Sequence, residues 1–356
     1  MARTLTDRPI SGPMVWHGQE LARSTDWIRP LSSAALDEID AALRAVQARG
    51  LRWRDIRKKD FPLPGVSAEL AQVNRDLEWG RGLALLRGLP VERYSDDELR
   101  AIWWGLGGHL GTAVHQNAHG ELIGEVRDEI RLYGEVVEPA VPKSDGVTSR
   151  AKARSSGPLR WHTDRCDVVG LLCVRSAQRG GTSRVVSVPA VSNAILERRP
   201  DLHALLCSDY HRSRQGEEAG GEASCYAMPI FALRDGKFTT QYSRTFVEAA
   251  QEIATVPRIT AAQDEALDLL ATVCDELGYD MELEPGDVQL LNNHVIYHGR
   301  TAYQDAPEPG RDRLLLRLWL APPNSRPLPE GFETLWGSIK GGAMRGGIAQ
   351  PAAASA

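Results

Sequence analysis

Apolar residues recur at helical spacing over about 34–48, where Leu36, Ile39, Leu43 and Val46 form one stripe and Gly50 can close the last turn. Leu70, Val73 and Leu77 make a second stripe, which predicts a helix near 67–79 capped by Ser67. Residues 83–90 read as a short buried strand ending at Pro90. Ser95 with Glu98 forms a capping box for a helix over about 96–106. Glycines then crowd 107–128, which predicts short strands joined by turns. Residues 141–158 are polar, small and without period, and a loop of that length inside a domain is expected to be a mobile lid.

From 159 to 188 the pattern changes to strands, with Gly180-Gly181 as a turn, and helices follow over about 189–198 and 200–208. A polar, irregular stretch at 209–226 is a second expected lid, and short strands come next around Ile230 and Phe238. The helix at about 261–277 is marked by a Thr260/Gln263 capping box, the Leu267, Leu270, Val273, Cys274, Leu277 stripe and Gly278 at its end. Strands at 281–284, 287–292 and 313–320 follow. Along 313–320, period two puts Arg313, Leu315, Arg317 and Trp319 on one face and Leu314, Leu316, Leu318 and Leu320 on the other. Helices flank the strands without regular alternation, so the fold class predicted is α+β with a β core. The division expected is an N-terminal helical segment over 1–80, a main domain over 81–335 and a flexible tail over 336–356.

Composition narrows the function. The 356 residues suffice for a substantial core, and 42% hydrophobic with 25% charged residues is ordinary for a soluble globular protein. The net charge of −5, with arginines set among acidic neighbours, offers no basic surface for nucleic acid or an anionic membrane. No stretch approaches the roughly 18 apolar residues of a membrane helix, and the first twenty residues lack the apolar core of a signal peptide. Five cysteines, odd in number and without a CxxC pair, indicate neither a disulfide framework nor a zinc ribbon. A cytoplasmic protein acting on a small molecule is expected.

The chemistry begins at Trp161-His162-Thr163-Asp164. In an extended segment, side chains at i and i+2 share a face, so His162 and Asp164 can bind one ion. A third ligand from a facing strand would complete the two-histidine, one-carboxylate face of a non-haem iron(II) site, which leaves positions open for other ligands. His294 and His298, in GDVQLLNNHVIYHGR, are the candidates. Taken alone the His–Asp pair is equally compatible with a hydrogen-bonded structural pair. The two arginines on the inner face of 313–320 change that balance, because guanidinium does not deprotonate and is costly to bury without an anion.

With these parts in order, WHTD, a GG turn, GD…NN…H-x-R and R-x-x-x-R, residues 80–325 resemble the TauD/TfdA group of iron(II)- and 2-oxoglutarate-dependent dioxygenases. The resemblance implies a double-stranded β-helix, or jelly-roll, flanked by helices. It implies His162, Asp164 and His298 as iron ligands, His298 being preferred over His294 because it stands in H-x-R. It implies Arg317 as the grip on the distal carboxylate of 2-oxoglutarate, with Ser183 or Thr182 after the GG turn assisting. Arg313 matches a position near the co-substrate and the substrate's acidic group. Gln116, Asn117, Tyr242, Arg244 and Asn293 are candidate substrate contacts, and Trp161 and Trp319 are expected to line the cavity.

The activity implied is oxidation of an unactivated C–H bond with O2, releasing succinate and CO2. Related halogenating enzymes lack the carboxylate ligand, so Asp164 favours hydroxylation, desaturation or dealkylation. Pro158-Leu159 stand where sulfonate-oxidising members place a polar contact, so taurine itself is not the expected substrate. The resemblance also makes a homo-oligomer possible. Two other classes remain: a zinc hydrolase on the same triad, which leaves Arg317 without a purpose, and a non-catalytic jelly-roll module, which predicts loss of a ligand.

Overall fold

In the computed structural model, which describes residues 8–133, 154–215, 218, 222–308 and 310–350, two β-sheets share a core as a double-stranded β-helix. The larger sheet runs Ile28–Pro30, Leu83–Arg87, Val288–Asn292, Val168–Arg175, Leu314–Ala321 and Thr112–Ala113, and Ile123–Val126 also pairs with Leu314–Ala321. The smaller sheet runs Tyr279–Met281, Ser183–Ser187, Ile296–Arg300 and Leu159–His162.

The Leu314–Ala321 strand obeys its period-two pattern. Leu314, Leu316, Leu318 and Leu320 pack in a core with Ile39, Leu43, Leu70, Val73, Ile102 and Leu106 of helices Ser33–Ala48, Val66–Trp79 and Asp96–Leu110. Leu315 and Trp319 join the other core, between the sheets. The same face must therefore carry Arg313 and Arg317 inward. Helices Val188–Arg198, Pro200–Leu206 and Ala261–Leu277 add Ile195, Leu202, Leu270 and Val273 to the core that holds Val186 and Tyr297 of the smaller sheet.

Both capping boxes, Ser95/Glu98 and Thr260/Gln263, form as their sequences predict. Ser67 does not cap its helix. The chain enters it at Gly65, where the Gly65 and Val66 amides donate to the Glu38 carboxylate at 3.0 and 3.1 Å. The helix expected over 96–106 runs on to Leu110. Its glycines serve close packing instead of breaking it: a Cβ on Gly107 would lie 2.6 Å from Leu318 Cδ1, and one on Gly105 would lie 2.5 Å from the Phe61 ring.

The stretch 209–226 is more regular than its polarity predicts, since Asp209–Ser213 and Cys225–Pro229 pair as antiparallel strands. A helix at Arg244–Ala250 has no clear periodic signal in the sequence. The strand expected at 281–284 is found earlier, at Tyr279–Met281. The expected lid at 141–158 lies outside the described residues up to 153.

The tail also differs from expectation over its described part. Arg345 is buried against the Asp167 carboxylate, Ile348 is in the core, and the Gly347 and Ile348 amides donate to the Arg165 and His115 carbonyls. A buried ion pair and backbone pairing hold what a glycine-rich composition alone would leave free.

Candidate active site

Leu159–His162 and Ile296–Arg300 are antiparallel neighbours, and their register sets His298 directly opposite His162. Directly opposed side chains on one sheet face are close, and the two imidazoles stand 4.2 Å apart between ring centres. The chain leaves its strand after His162, and Asp164 turns in between the rings. His162 Nε2 lies 3.9 Å from Asp164 Oδ1, and His298 Nε2 lies 3.9 Å from Asp164 Oδ2.

One ligand atom from each residue lies within 4.8 Å of the others, and among the described residues these three are a cluster able to hold a metal. Small adjustments bring all three to the roughly 2.0–2.2 Å of a metal–ligand bond. Two imidazoles and one carboxylate suit iron(II) with positions left open.

Supporting contacts orient each ligand. His162 Nδ1 donates to the Arg160 carbonyl at 2.9 Å, so Nε2 carries the free lone pair. Trp319 Nε1 donates to Asp164 Oδ2 at 2.9 Å, and the Asp164 amide donates to Asn293 Oδ1 at 3.1 Å. Burial pushes the Asp164 pKa up, but Arg317 and the two histidines outweigh it and hold the group below the usual carboxylate range. Burial, assisted by His162, pushes His298 down to about 3, and burial also lowers His162 against the pull of Asp164. All three are thus in the protonation states that bind a metal.

A pH dependence follows. His294, buried beside Asp167, is lowered by burial to about 4. A histidine with a depressed folded pKa binds fewer protons folded than unfolded, so stability is complete above about 6.5 and declines as pH falls toward the folded value. The slope is about 1.4 kcal/mol per pH unit for each such group. Urea midpoints of the metal-free protein should therefore fall between pH 7 and pH 5. A flat profile would refute the neutral buried state of these histidines.

Two cavities meet at the triad. The first, about 780 Å³ of space continuous with solvent, is lined by Gln116, Arg214, Tyr226, Gln241, Phe246 and Trp319 among others. The second, about 500 Å³, is lined by Leu171, Ser183, Leu283, Arg300 and Arg313 among others. Leu159, His162, Asp164 and Arg317 belong to both.

Arg317 is at the junction. Its Nη1 is 3.7 Å from Asp164 Oδ1, and its Nε donates to Gln116 Oε1 at 2.7 Å. Arg313 lies four residues earlier, about 13 Å along the strand. Its guanidinium stacks on Tyr303 at 5.0 Å, the ring that Arg300 also covers at 4.7 Å. It packs on the Gly180-Gly181 turn, where both glycines have positive φ and where a Cβ on Gly181 would lie 3.1 Å from Arg313 Nε. Arg313 Nη1, Arg300 Nε and Arg300 Nη1 are buried without a hydrogen-bond partner among the described residues.

The other expected site residues divide. Ser183 faces the second cavity and exchanges hydrogen bonds with Gln289, whereas Thr182 Oγ1 donates to Glu282 at an exposed position. Gln116 lines the first cavity and holds Arg317. Asn293 braces the metal loop, bonding the Asp164 amide and the Cys166 carbonyl. Asn117 is a turn residue bonded to Glu121 and His119, and Arg244 pairs with Glu248, Asp264 and Asp268. Tyr242 is packed on Tyr297, its neighbours Gln241 and Ser243 reaching the cavity instead.

His294 bonds Asp167 and Thr239, away from the triad. Of the two tryptophans, Trp319 lines the cavity, while Trp161 Nε1 donates to Asp275. Arg214, Gln241 and Arg300 were missed as individual residues. Only the H-x-R spacing pointed to Arg300, and nothing local pointed to the other two.

A double-stranded β-helix with a His-x-Asp and a remote histidine at the meeting of two cavities defines a mononuclear non-haem iron oxygenase. The chain belongs to the TauD/TfdA family: residues 47–319 match the model "Taurine catabolism dioxygenase TauD, TfdA family". It is 32% identical over 340 residues to FR-33289 synthase of Streptomyces rubellomurinus, covering 93% of this chain and 96% of that one. It is 29% identical to the taurine hydroxylase-like protein SAT17 of Stachybotrys chartarum, covering 88% and 82%.

Among solved structures, an asparagine oxygenase in complex with Fe(II), 2S,3S-3-hydroxyasparagine and succinate superposes with TM-score 0.60 at 19% identity, covering 83% and 93%. The non-haem iron oxygenase OrfP with Fe and alpha-ketoglutaric acid gives 0.59 at 16%, covering 82% and 93%. The protein is thus an iron(II)- and 2-oxoglutarate-dependent dioxygenase of a small organic substrate. The zinc-hydrolase and non-catalytic alternatives give way to it. Among the described residues, no helix is long and apolar enough to cross a membrane.

Proposed function

We propose that His162, Asp164 and His298 hold the iron, that 2-oxoglutarate occupies the second cavity with its distal carboxylate on Arg313 and Ser183, and that the substrate occupies the first. The observation that carries this reading is the pair of cavities sharing His162 and Asp164, one of them ending on buried guanidiniums with unmade hydrogen bonds. A buried cation left unpaired is costly, and a carboxylate supplies the missing acceptors.

The arrangement favours Arg313 over Arg317 as the distal grip, against the expectation from the sequence. Four C–C bonds of about 1.5 Å separate the ends of 2-oxoglutarate by about 5 Å. Arg317 is within 3.7 Å of a metal ligand, which is the near end of such a molecule. Arg313, at the Gly180-Gly181 turn, is suited to the far end.

When bound, the iron with O2 and 2-oxoglutarate supplies the oxidant for a substrate C–H bond, with succinate and CO2 as co-products. The protein's share is placement. Asp164 stays ionised, Trp319 and Asn293 fix its carboxylate and its backbone, and Gln116 holds Arg317 beside it. Leu159, Phe246 and Leu335 give the first cavity an apolar wall. All five cysteines are free thiols, which fits a reducing cytoplasm.

Anaerobic addition of iron(II) and 2-oxoglutarate should give a weak visible charge-transfer absorption, and admission of air should then release succinate. Absence of both would defeat the reading.

A further inference from the structure

The walls of the first cavity are more cationic than a generic substrate pocket needs. Arg214 follows the Asp209–Ser213 strand, and its side chain is only 4% exposed. Its Nε donates to the Ala223 carbonyl at 3.0 Å and its Nη2 to the Thr334 carbonyl at 2.7 Å, while its guanidinium stacks on Tyr226 at 4.9 Å. These contacts hold the group rigidly at the cavity wall and leave its buried Nη1 without a hydrogen bond among the described residues. Arg212, two residues earlier, is different: it donates to the Met228 and Gln241 carbonyls and does not line the cavity.

The ion pair at Arg214 is a long one. Glu222 is 3.7 Å from Arg214 Nη1 and 4.0 Å from Arg165 Nη2, both beyond hydrogen-bond length. Arg165 and Arg317 line the same cavity, and Asp164 is committed to the metal in the reading above. Among the described residues, Glu222 is thus shared between these two guanidiniums of Arg214 and Arg165, neither of which can shed its charge. Gln241, which also lines the cavity, adds a second unmet need, because its buried Oε1 has no donor among the described residues.

We propose that Arg214, together with Arg165, forms an oxyanion subsite for the oxidised substrate, and that the Gln241 side-chain carbonyl receives an N–H or O–H of the same molecule. The substrate class is then a small acid bearing a carboxylate, phosphonate, phosphate ester or sulfonate and, within the span of the cavity, a hydrogen-bond donor. This rests on the dioxygenase reading and specifies its substrate. Arg214 is a specificity residue that touches substrate, distinct from the arginines assigned to 2-oxoglutarate. Glu222 competes with the incoming anion, so its removal strengthens the subsite.

The test uses the iron(II)-loaded enzyme saturated with 2-oxoglutarate under anaerobic conditions, so that the co-substrate site is already filled. Acetate, methylphosphonate, methyl phosphate and methanesulfonate are titrated by calorimetry, with ethanol as an uncharged control. At least one anion should bind where ethanol does not, and the order of the four identifies the acid class. Arg214→Gln should weaken that binding by about 10- to 150-fold, the range for a lost hydrogen bond to a charged group. Affinities for iron(II) and 2-oxoglutarate should be unchanged.

Glu222→Gln leaves every arginine in place and should tighten the anion, which keeps the proposal testable if Arg214→Gln fails to fold. Wild-type affinity in both variants, or no anion binding at all, overturns the subsite. In either case the dioxygenase reading stands if 2-oxoglutarate binds and succinate forms in air. Failure of those two steps in the wild type brings down both.

Discussion

Arg313→Ala should raise the Kd for 2-oxoglutarate by roughly 30- to 5,000-fold, the equivalent of about 2–5 kcal/mol for truncating one partner of a buried, hydrogen-bonded charge pair. Iron(II) affinity should be nearly unchanged, because Arg313 touches none of the three proposed ligands. Arg317→Ala should behave differently. It removes the cation 3.7 Å from Asp164 and the partner of Gln116, so it should lower turnover more than it weakens 2-oxoglutarate. Calorimetric titration of both variants separates the two roles. If Arg317→Ala gives the larger loss of 2-oxoglutarate affinity, the R-x-x-x-R assignment made from sequence is restored and the geometric one is wrong.

The second large effect is on stability. Asp167 is almost fully buried and receives the Arg345 guanidinium through Nη2 at 2.7 Å and Nε at 3.0 Å, with His294 Nε2 at 2.6 Å on the same Oδ1. Burial pushes the Asp167 pKa up, but His294 and Arg345 together hold it below the usual carboxylate range. Arg345→Ala would leave an ionised carboxylate in the core with only a neutral imidazole beside it. Breaking one side of a buried pair costs about 3–5 kcal/mol.

The consequence should reach the active site, because the Gly347 amide of the same tail segment donates to the Arg165 carbonyl, one residue from Asp164. Iron(II) affinity should fall with it, by less than the roughly 10- to 100-fold typical of losing a hydrogen bond made directly to a metal ligand. Urea unfolding and iron(II) titration of Arg345→Ala measure both effects. Adding Asp167→Asn should recover much of the stability, since the stranded charge is then gone. A stability change below about 1 kcal/mol would mean that Asp167 is solvated or protonated in the folded protein.

Legibility varied with the range of the interaction involved. Period two along 313–320 sorted its leucines from its arginines correctly, because alternation is a property of the strand itself and one face had to be buried. The capping boxes at Ser95 and Thr260 were equally local. Gly107 misled, since a glycine that admits Leu318 looks the same in sequence as one that ends a helix. The tail misled for a related reason: its anchor, Arg345, finds its carboxylate 178 residues away.

The His162–Asp164 pair, the remote His298, the Gly180-Gly181 turn and the two inward arginines could all be found from the sequence alone. Their chemistry depends on residue type and short spacing. With the family resemblance they determined the reaction class. Which arginine stands next to Asp164, which of Thr182 and Ser183 faces inward, and which residues line the first cavity depended on the tertiary structure. Those outcomes are set by strand register and by the crossing of segments far apart in sequence, which place Arg214 and Gln241 in the same cavity as Asp164. A guanidinium shows the same three letters whether both its terminal nitrogens are spent on carbonyls, as in Arg212, or one of them is left without a hydrogen bond beside a cavity, as in Arg214 among the described residues. Only packing distinguishes them, because only packing decides which hydrogen bonds are left unmade.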